Sequence, residues 1–316
     1  MVDLLSDSTV FLFPGQGSQS VGMGKDLALA FPLARRTFEQ ADELLGFSLS
    51  RLAWEGPEAE LNDTINTQPA LLTHSIAVLR YLQISLPGLQ PVFVAGHSMG
   101  ELSALVGAGA LPFEAALRLA RRRGELMKRA GEVSPGGMAA VLGADLATLD
   151  RLCAEASTPD EIVQVANDNC PGQVVISGAK PALERLIQLA PQSGVRKIRP
   201  LAVSIAAHSP LMIHAQADFN QAVAEAPIVD PAVPLVGNVT ASALTSANEI
   251  RADLRMQLTS RVRWTESIQE MSRRGATTFV ELGNGSVLTG LLKRIDEQLV
   301  GLALAAPADF EKLGMS

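Results

Sequence analysis

The stretch PVFVAGHSMGELSALVGAGAL, residues 91–111, decides the fold. Its first five residues are apolar and predict a buried strand, and the residues after Gly100 predict a helix. Between them lies GHSMG (96–100), which fits the G-x-S-x-G pattern of a sharp strand-to-helix turn. Such a turn exposes its serine hydroxyl at the start of the helix. The stretch therefore predicts an α/β fold with Ser98 as a candidate nucleophile.

The spacing of the two glycines has a steric reason. The turn strains the backbone at the serine, and side chains at the flanking glycine positions would clash. The N–H of the next residue, Met99, points to the same place as the serine oxygen and can bind a developing oxyanion. Serine and glycine also serve as turn and capping residues at ordinary strand-to-helix junctions, so this alternative stays open.

Three further apolar runs predict strands of the same sheet: TVFLF (9–13), PLVGNV (234–239) and TFVEL (278–282). They are nearly continuous in apolar residues instead of alternating with polar ones. That pattern is typical of a parallel sheet covered by helices on both faces. We therefore expect a large α/β-hydrolase-like domain with a mostly parallel sheet.

The middle of the chain follows a different order, βαββαβ, which is the ferredoxin-like split unit. Its six segments are GMAAVLG (137–143), DLATLDRLCAEA (145–156), EIVQVAN (161–167), QVVISG (173–178), KPALERLIQLA (180–190) and VRKIRPLAVS (195–204). A Pro/Gly hinge, EVSPGG (132–137), precedes it. We predict a small ferredoxin-like domain over 132–203, inserted into a large domain made of 1–131 and 204–316.

Composition excludes several classes of protein. The 316 residues are 47% hydrophobic and 4% aromatic, with a net charge of −7, which argues against nucleic-acid binding. Two cysteines without a CxxC pair predict neither a disulfide framework nor a metal site. No apolar run reaches the length of a membrane helix, and MVDLLSDSTV (1–10) lacks the basic start of a secretory signal. We expect a cytoplasmic protein.

A nucleophilic serine needs a proton acceptor, and the chain has four histidines, at 74, 97, 208 and 214. Two lie within predicted helices, and His97, next to Ser98 in the chain, should point away from it. His208 lies in a loop at the predicted domain junction, just before a Ser-Pro helix start. It is the candidate base, with a structural role as the alternative. No acid partner is evident, and a backbone carbonyl can orient the ring instead.

Arg123 lies on the apolar face of its predicted helix, where a charged residue is unexpected. Over FEAALRLARRRGELMKRA (113–130), the other charged residues fall on one face at about 100° per residue. Arg123 falls in the middle of the apolar face, where a guanidinium is costly unless it meets an anion. One alternative is an internal ion pair. The other is bidentate binding of a substrate carboxylate, which next to a nucleophilic serine suggests transfer of an acyl group that carries a carboxylate.

Blocks with the spacing of a known family run in order over nearly the whole chain. They are FPGQGSQSVGMG (13–24), TQPALLTHS (67–75), AGHSMGELSALVGAGAL (95–111), RRRGELM (121–127), PGQVVISG (171–178), AAHSPLM (206–212), NVTA (238–241), VRWTESI (262–268) and VLTGLLKRI (287–295). With these blocks the sequence resembles the malonyl-CoA:acyl carrier protein transacylases of fatty acid synthesis and the related acyltransferase domains of polyketide synthases.

The resemblance implies a role for each matching residue. It makes Ser98 the acylated nucleophile, His208 the general base and Arg123 the partner of the malonyl carboxylate. It also implies that the backbone N–H groups of Gln16 and Met99 form the oxyanion hole.

Four more positions match residues around the family's site. Gln257 matches a glutamine that lines it, although the sequence alone favours a solvent-exposed helix residue there. Asn167 and Asn169 match residues at the small-domain edge that face the cleft, although alone they read as turn formers. In the family, backbone carbonyls hold the histidine, and one of them is expected near Asn238.

Two departures from the family pattern stand out. Ala207 precedes the candidate base where many malonyl-selective members have phenylalanine. Near the C-terminus the family's Gly-Pro-Gly is here Gly283-Asn284-Gly285. Asparagine tolerates unusual backbone angles, so the turn should survive.

The resemblance predicts transfer of malonyl from malonyl-CoA to the phosphopantetheine thiol of an acyl carrier protein, with no metal, flavin or nicotinamide. Two alternatives remain, a serine thioesterase or hydrolase on the same turn and a non-catalytic scaffold that docks carrier proteins. A buried cation at Arg123 argues against the first, and the full set of candidate residues argues against the second. Nothing in the sequence demands more than a monomer.

Overall fold

The structure is a computed structural model that describes residue 4 and residues 7–313. Within this range the strands are β1 (Thr9–Phe13), β2 (Phe93–Gly96), β3 (Gly136–Leu142), β4 (Val163–Cys170), β5 (Gln173–Ala179), β6 (Lys197–Pro200), β7 (Leu235–Val236), β8 (Ala243–Leu244), β9 (Thr278–Leu282) and β10 (Val300–Leu304). Half of the N-terminal stretch 1–10, which argues against a secretory signal, lies outside the described residues.

One or more helices separate most of the successive strands, and five helices follow one another between β1 and β2. The helices are α1 (Lys25–Ala30), α2 (Pro32–Leu45), α3 (Leu49–Glu55), α4 (Glu58–Leu61), α5 (Thr64–Ser85), α6 (Gly100–Gly107), α7 (Phe113–Val133), α8 (Leu146–Ala156), α9 (Lys180–Leu189), α10 (Ile213–Glu225), α11 (Ala247–Gln257), α12 (Trp264–Arg273), α13 (Val287–Ile295) and α14 (Pro307–Glu311). Among the described residues, no helix combines the length and the apolar character that a membrane crossing requires.

The first sheet has six strands in the order β10-β9-β1-β2-β7-β8. Every neighbouring pair from β10 to β7 is parallel, and only β7 with β8 is antiparallel. The fold is therefore mixed α/β with a mostly parallel sheet, as the apolar runs predict.

Both faces of this sheet are buried. Successive side chains of β1 alternate between two apolar clusters: Phe11 and Phe13 pack into one, Val10 and Leu12 into the other. Since side chains alternate across a strand, a central strand buried on both faces must be apolar at every position. This is why TVFLF reads as a continuous apolar run.

The second sheet has four antiparallel strands in the order β4-β5-β3-β6. Helix α8 connects β3 to β4, and α9 connects β5 to β6, so the observed elements follow one another as βαββαβ. They all fall between Gly136 and Pro200 and enclose an apolar cluster of their own. The domain boundaries at 131/132 and 203/204 stay predictions.

The sequence did not predict the two strands at the edges of the first sheet, β8 and β10. Strand β8 has only two residues, too few for a periodicity signal. Strand β10 forms the opposite edge, and its first two residues are exposed, so it lacks the continuous apolar pattern of the central strands. The predicted strand 234–239 is also shorter than expected, because the chain leaves the sheet after Val236.

Candidate active site

Ser98 occupies the turn between β2 and α6 with a left-handed backbone, φ 54°. A Cβ added at Gly96 would lie 2.0 Å from the carbonyl carbon of Gly100, and one added at Gly100 would lie 2.2 Å from the carbonyl oxygen of Phe13. Both glycines are therefore required by close packing of backbone against backbone. This confirms the steric reason inferred for the G-x-S-x-G spacing.

Asn238, just beyond β7, holds this turn from the side. Its Nδ2 donates to the carbonyl of Gly96, and its Oδ1 accepts from the N–H of Ser98, both at 2.7 Å. The N–H of Ser98 is thus occupied. The N–H groups of Gln16 and Met99, in contrast, donate to no protein acceptor within the described part of the chain.

His208 lies against the serine. Its Nε2 is 2.7 Å from Ser98 Oγ, and the residue is buried with φ 57°. Its Nδ1 donates to the backbone carbonyls of Gln257, at 2.9 Å, and Ser260, at 3.2 Å. Because carbonyls only accept, Nδ1 must carry the hydrogen, and Nε2 is free to accept from the serine hydroxyl.

The resemblance placed one of the carbonyls that hold His208 near Asn238. This expectation is wrong, because Nδ1 donates to the carbonyls of Gln257 and Ser260, and the carbonyl of Asn238 accepts from the N–H of Arg263 at 3.0 Å. The anchors lie at and just after the end of α11, where helical carbonyls lack intrahelical partners and the helix dipole is negative. This end of α11 can stabilise an imidazolium where no carboxylate contacts the ring in the described residues.

Arg123 projects from the apolar face of α7 and is 1% exposed. Its Nη2 donates to Ser98 Oγ at 3.2 Å, and Nε and Nη2 both donate to Gln257 Oε1, at 3.1 and 2.9 Å. Its Nη1 donates to Gln68 Oε1 at 3.0 Å. Arg123 makes no ion pair with a described carboxylate, so the internal-pair alternative is not what the structure contains.

The charge states of this group follow from burial. Burial lowers the pKa of Arg123 to about 10, which leaves it a cation at neutral pH. Burial and the nearby Arg123 charge lower the pKa of His208 to about 3, so the ring is neutral at neutral pH. The pair is a neutral imidazole beside a cation, both within hydrogen-bonding distance of one serine oxygen.

Gln257 is the last residue of α11 and is 1% exposed, so the solvent-exposed interpretation of this position is wrong. Besides accepting from Arg123, it donates through Nε2 to the backbone carbonyl of Ser98 at 3.1 Å and to the carboxyl group of Glu101. The side chains of Ser98, His208, Arg123, Gln257 and Asn238 thus form one connected cluster.

Three buried polar residues of this cluster were missed by the sequence reasoning. They are Gln68, Glu101 and Asp253, each at most 1% exposed. The signal that identified Arg123 was available for two of them. Glu101 is the only charged residue of the apolar helix α6, and Asp253 shares a helix face with Ile250, Leu254 and Gln257 at helical spacing.

The two asparagines of β4 lie farther from the serine. Asn169 Oδ1 accepts from His97 Nε2 at 2.9 Å, and the His97 ring also packs edge-on against Trp264. His97 therefore points away from Ser98, as predicted. Asn167 is half-buried beside Val262, and its Oδ1 has no hydrogen-bond partner among the described residues. Among the described residues, neither asparagine is hydrogen bonded to Ser98 or His208.

Two loops complete the surroundings. The exposed Gln16 accepts through Oε1 from Thr64 Oγ1 at 2.9 Å, and the half-buried Ala207 packs against the main apolar cluster immediately before His208. Asn284 donates through Nδ2 to the Ser18 carbonyl at 2.6 Å and to Ser20 Oγ at 2.9 Å. The Gly-Asn-Gly turn is therefore hydrogen bonded to the loop that carries Gln16.

Known proteins share this arrangement of elements. The acyl transferase domain family matches residues 10–306. A malonyl CoA-acyl carrier protein transacylase from Bacillus subtilis is 45% identical over 301 residues, which cover 95% of this chain and 94% of the relative. The chain belongs to the malonyl-CoA:acyl carrier protein transacylase family.

Solved structures of this transacylase family superpose closely on the chain. An acyl carrier protein S-malonyltransferase from Vibrio cholerae matches with a TM-score of 0.93 and 42% identity, over 97% of this chain and 99% of that one. A malonyl-transacylase in complex with its type II polyketide synthase acyl-carrier protein matches with a TM-score of 0.93 and 42% identity, over 96% and 98%.

Proposed function

We propose that this transacylase family member transfers malonyl from malonyl-CoA to the phosphopantetheine thiol of an acyl carrier protein, through an acyl-enzyme on Ser98. The observation that carries the proposal is the buried Arg123 guanidinium, 3.2 Å from Ser98 Oγ and paired with no carboxylate in the described residues. A cation in that position gives a carboxylated acyl group a partner next to the nucleophile. The names of the relatives support the same substrate and acceptor.

In the first half-reaction, Ser98 Oγ attacks the thioester carbonyl while its proton passes to His208 Nε2. The N–H groups of Gln16 and Met99 bind the oxyanion of the tetrahedral intermediate, since the N–H of Ser98 is taken by Asn238. The carbon–sulfur bond then breaks, and the coenzyme A thiolate takes the proton from His208. The product is malonyl-Ser98 and coenzyme A.

In the second half-reaction the carrier thiol occupies the place that coenzyme A has left. His208 accepts the thiol proton, the thiolate attacks the serine ester, and the serine oxygen leaves and recovers the proton. Asn167 and Asn169 at the small-domain edge face the entering pantetheine arm. Every step uses side chains and backbone of this chain, so the reaction as proposed needs no cofactor, and malonyl-CoA is a substrate.

Arg123 has two roles in the proposed reaction: it binds the carboxylate of the acyl group, and its charge affects the pKa of the base His208. Its cation contributes to the low pKa of His208, after burial. A malonyl carboxylate that pairs with Arg123 compensates this charge and raises the pKa of the base. A neutral acyl group does neither, so the base stays weak when acetyl-CoA binds. Gln257 and Gln68 hold the guanidinium, and Ala207 bounds the space beside the acyl α-carbon.

The finer description of the fold belongs to the same proposal. Residues 1–131 and 204–316 form an α/β-hydrolase-like domain, and 132–203 form a ferredoxin-like domain, a division supported by the β4-β5-β3-β6 order of the second sheet. Ser98 and His208 both belong to the larger domain, and the smaller one contributes β4 to the edge of the site. The cytoplasmic location and the monomeric state remain expectations from the sequence.

Intact-mass spectrometry tests the function and separates it from the two alternatives. Malonyl-CoA should add the mass of one malonyl group to the protein. When holo acyl carrier protein is then added, the protein should lose this mass and the carrier protein should gain it. The Ser98→Ala variant, which loses little volume, should fold and show no adduct. Release of free malonate without a carrier would instead indicate a hydrolase, and no adduct on the wild-type chain would indicate a scaffold.

A further inference from the structure

Gln257 contacts the nucleophile, the base and the carboxylate-binding cation of the proposed reaction. Its backbone carbonyl accepts from His208 Nδ1, its Oε1 accepts from Arg123, and its Nε2 donates to the backbone carbonyl of Ser98. The side-chain amide therefore lies between a cation that only donates and a carbonyl that only accepts. Its orientation decides whether Arg123 meets an acceptor or a donor.

The two ends of an amide have nearly the same size and shape, so only the hydrogen-bond partners fix which end faces which way. On the far side of Gln257 from Arg123, the second acceptor for Nε2 is the carboxyl group of Glu101. Two acceptors, the Ser98 carbonyl and the Glu101 carboxyl group, hold Nε2 away from the guanidinium, and removal of Glu101 leaves only the first. An amide turned the other way would present N–H to Arg123 and displace it.

Glu101 is a buried residue that is fixed by hydrogen bonds next to the Gln257 amide. It is 0% exposed, and its Oε1 also accepts from the N–H of Asn238 at 3.4 Å. Burial, then the neighbouring Asp253 carboxylate, raise the pKa of Glu101 well above its usual range. Asp253 in turn accepts from Thr240 N, at 3.0 Å, and from Thr240 Oγ1, at 2.9 Å.

A protonated Glu101 fits both of its neighbours. Its hydroxyl can donate to the neighbouring Asp253 carboxylate, and its remaining acceptor capacity receives Gln257 Nε2. The buried acid pair then carries one negative charge instead of two, and Arg123 is hydrogen bonded to neither carboxyl group, although the charge of Glu101, when ionised, would act on it. The charge of Arg123 thus stays available to an incoming acyl group.

From this geometry we propose that Glu101 is a positioning residue for acyl selectivity: it fixes the amide orientation of Gln257 and so keeps Arg123 directed at the carboxylate of the acyl group. The inference rests on the proposed malonyl transfer. It adds a residue that contacts neither substrate nor the reacting atoms.

The test compares kcat/KM for malonyl-CoA and acetyl-CoA in two variants. Glu101→Gln keeps one acceptor and one donor in place, so the malonyl-to-acetyl ratio should stay within about threefold of the wild type. Glu101→Met has a similar length and no hydrogen bond, so the ratio should fall roughly 10- to 100-fold, the effect of losing a hydrogen bond to a charged group. The loss should fall on malonyl-CoA, mainly in KM.

Glu281 supplies a matched control. It is also 0% exposed, lies in β9 and accepts from the N–H groups of Leu288 and Thr289. Glu281→Met should lower the melting temperature and leave the malonyl-to-acetyl ratio unchanged. An equal change of the malonyl-to-acetyl ratio in Glu281→Met and Glu101→Met would overturn the inference. The change would then be a general effect of destabilising the fold and not an effect of the contact between Glu101 and Gln257.

Four further outcomes would refute the inference or the function on which it rests. A folded Glu101→Met with the wild-type ratio overturns the inference, as does Glu101→Gln losing as much as the methionine variant. If Glu101→Met does not fold, Glu101→Asn replaces it: its shorter side chain stays polar but withdraws the acceptor, so the ratio should fall and a retained ratio refutes the role. A wild-type chain that forms no malonyl adduct refutes the proposed function itself.

Discussion

The Nη2 of Arg123 lies 3.2 Å from Oγ of Ser98, so a buried cation and a nucleophile share one hydrogen bond. The other hydrogen bonds of this guanidinium go to the neutral amide oxygens of Gln68 and Gln257. Its charge is therefore placed beside the acyl position with no direct counter-ion in the described part of the chain. An acyl group that carries a carboxylate compensates this charge, and an acetyl group does not.

Replacing Arg123 by alanine should separate the two acyl groups. Malonyl transfer should lose a few kcal/mol of transition-state stabilisation, roughly 100-fold or more in kcat/KM, because one partner of a buried charge pair is removed. Acetyl transfer should stay equal or improve, since the uncompensated cation no longer weakens the base. Steady-state kinetics with both coenzyme A esters provides the measurement.

Arg121 offers the control for this variant. It lies two residues away on the same helix but points outward, where it binds Glu125 and Asn66. Arg121→Ala should leave the malonyl-to-acetyl ratio unchanged. Equal losses on malonyl and acetyl substrates in Arg123→Ala would mean that Arg123 serves only the structure.

Replacing His208 by alanine should slow acylation by about 100-fold or more, the usual contribution of a positioned general base. Stopped-flow or rapid-quench mass spectrometry of malonyl-Ser98 formation measures this step directly. His214, exposed on α10, is the comparison, and His214→Ala should acylate at the wild-type rate. The base is wrongly assigned if His214→Ala slows acylation and His208→Ala does not.

Ala207 should leave room for a branched acyl group. A methyl side chain before His208 keeps the space beside the acyl α-carbon open, so methylmalonyl should be a detectable substrate with malonyl the better one. Ala207→Phe should raise the preference for malonyl by about 1–3 kcal/mol, or roughly 10- to 200-fold. A competition assay with both esters tests this. If the wild type already rejects methylmalonyl as fully as the variant does, the neighbouring Met99 becomes the better candidate for the filter.

Buried neutral histidines should make the fold sensitive to acid. Burial lowers the pKa of His74 to about 4, from 6.5 in the unfolded chain. Between these values the unfolded state binds a proton that the folded state does not, so stability falls as the pH drops from 6.5 towards 4. The slope is about 1.4 kcal/mol per pH unit for this residue, and the total is about 3 kcal/mol.

The variant His74→Gln isolates this contribution. Glutamine keeps an N–H for the carbonyl of Ala305, which His74 Nε2 contacts at 3.0 Å, but it does not titrate. Urea unfolding at several pH values between 4.5 and 7 gives the free energy of unfolding as a function of pH. This free energy should decline less steeply for the variant, because unfolding of the variant takes up about one proton fewer. Identical slopes for the two proteins would contradict a neutral buried His74.

Local signals predicted the reactive part of the site. The G-x-S-x-G spacing specified the turn at Ser98 because a side chain at Gly96 would clash with the nearby backbone of Gly100, although Gly100 itself is packed against the distant backbone of Phe13. Arg123 was found because a charge on the apolar face of a regular helix shows in the sequence alone. The clash at Gly96 and the periodicity of α7 are both short-range in the chain, so the sequence alone contains these two signals.

The partners of these residues could not be predicted in the same way. The two carbonyls that hold His208 carry no side-chain signature. One of them was expected near Asn238, but both lie at or just after the end of α11. The burial of Gln257 depends on α11 packing against the turn at Ser98, which no local pattern encodes. The edge strands β8 and β10 were missed because short or exposed strands lack a continuous apolar run.

The nucleophile and its base are 110 residues apart in the chain, and the whole second sheet is made between them. A ribosome adding about 5–20 residues per second therefore exposes the Ser98 segment roughly 5 to 20 s before the His208 segment. Arg123 emerges early, with the serine, but Gln257 and the end of α11 come later still. A nascent or truncated chain thus contains the serine without the means to activate it, and reactivity towards thioesters begins only when synthesis has passed α11.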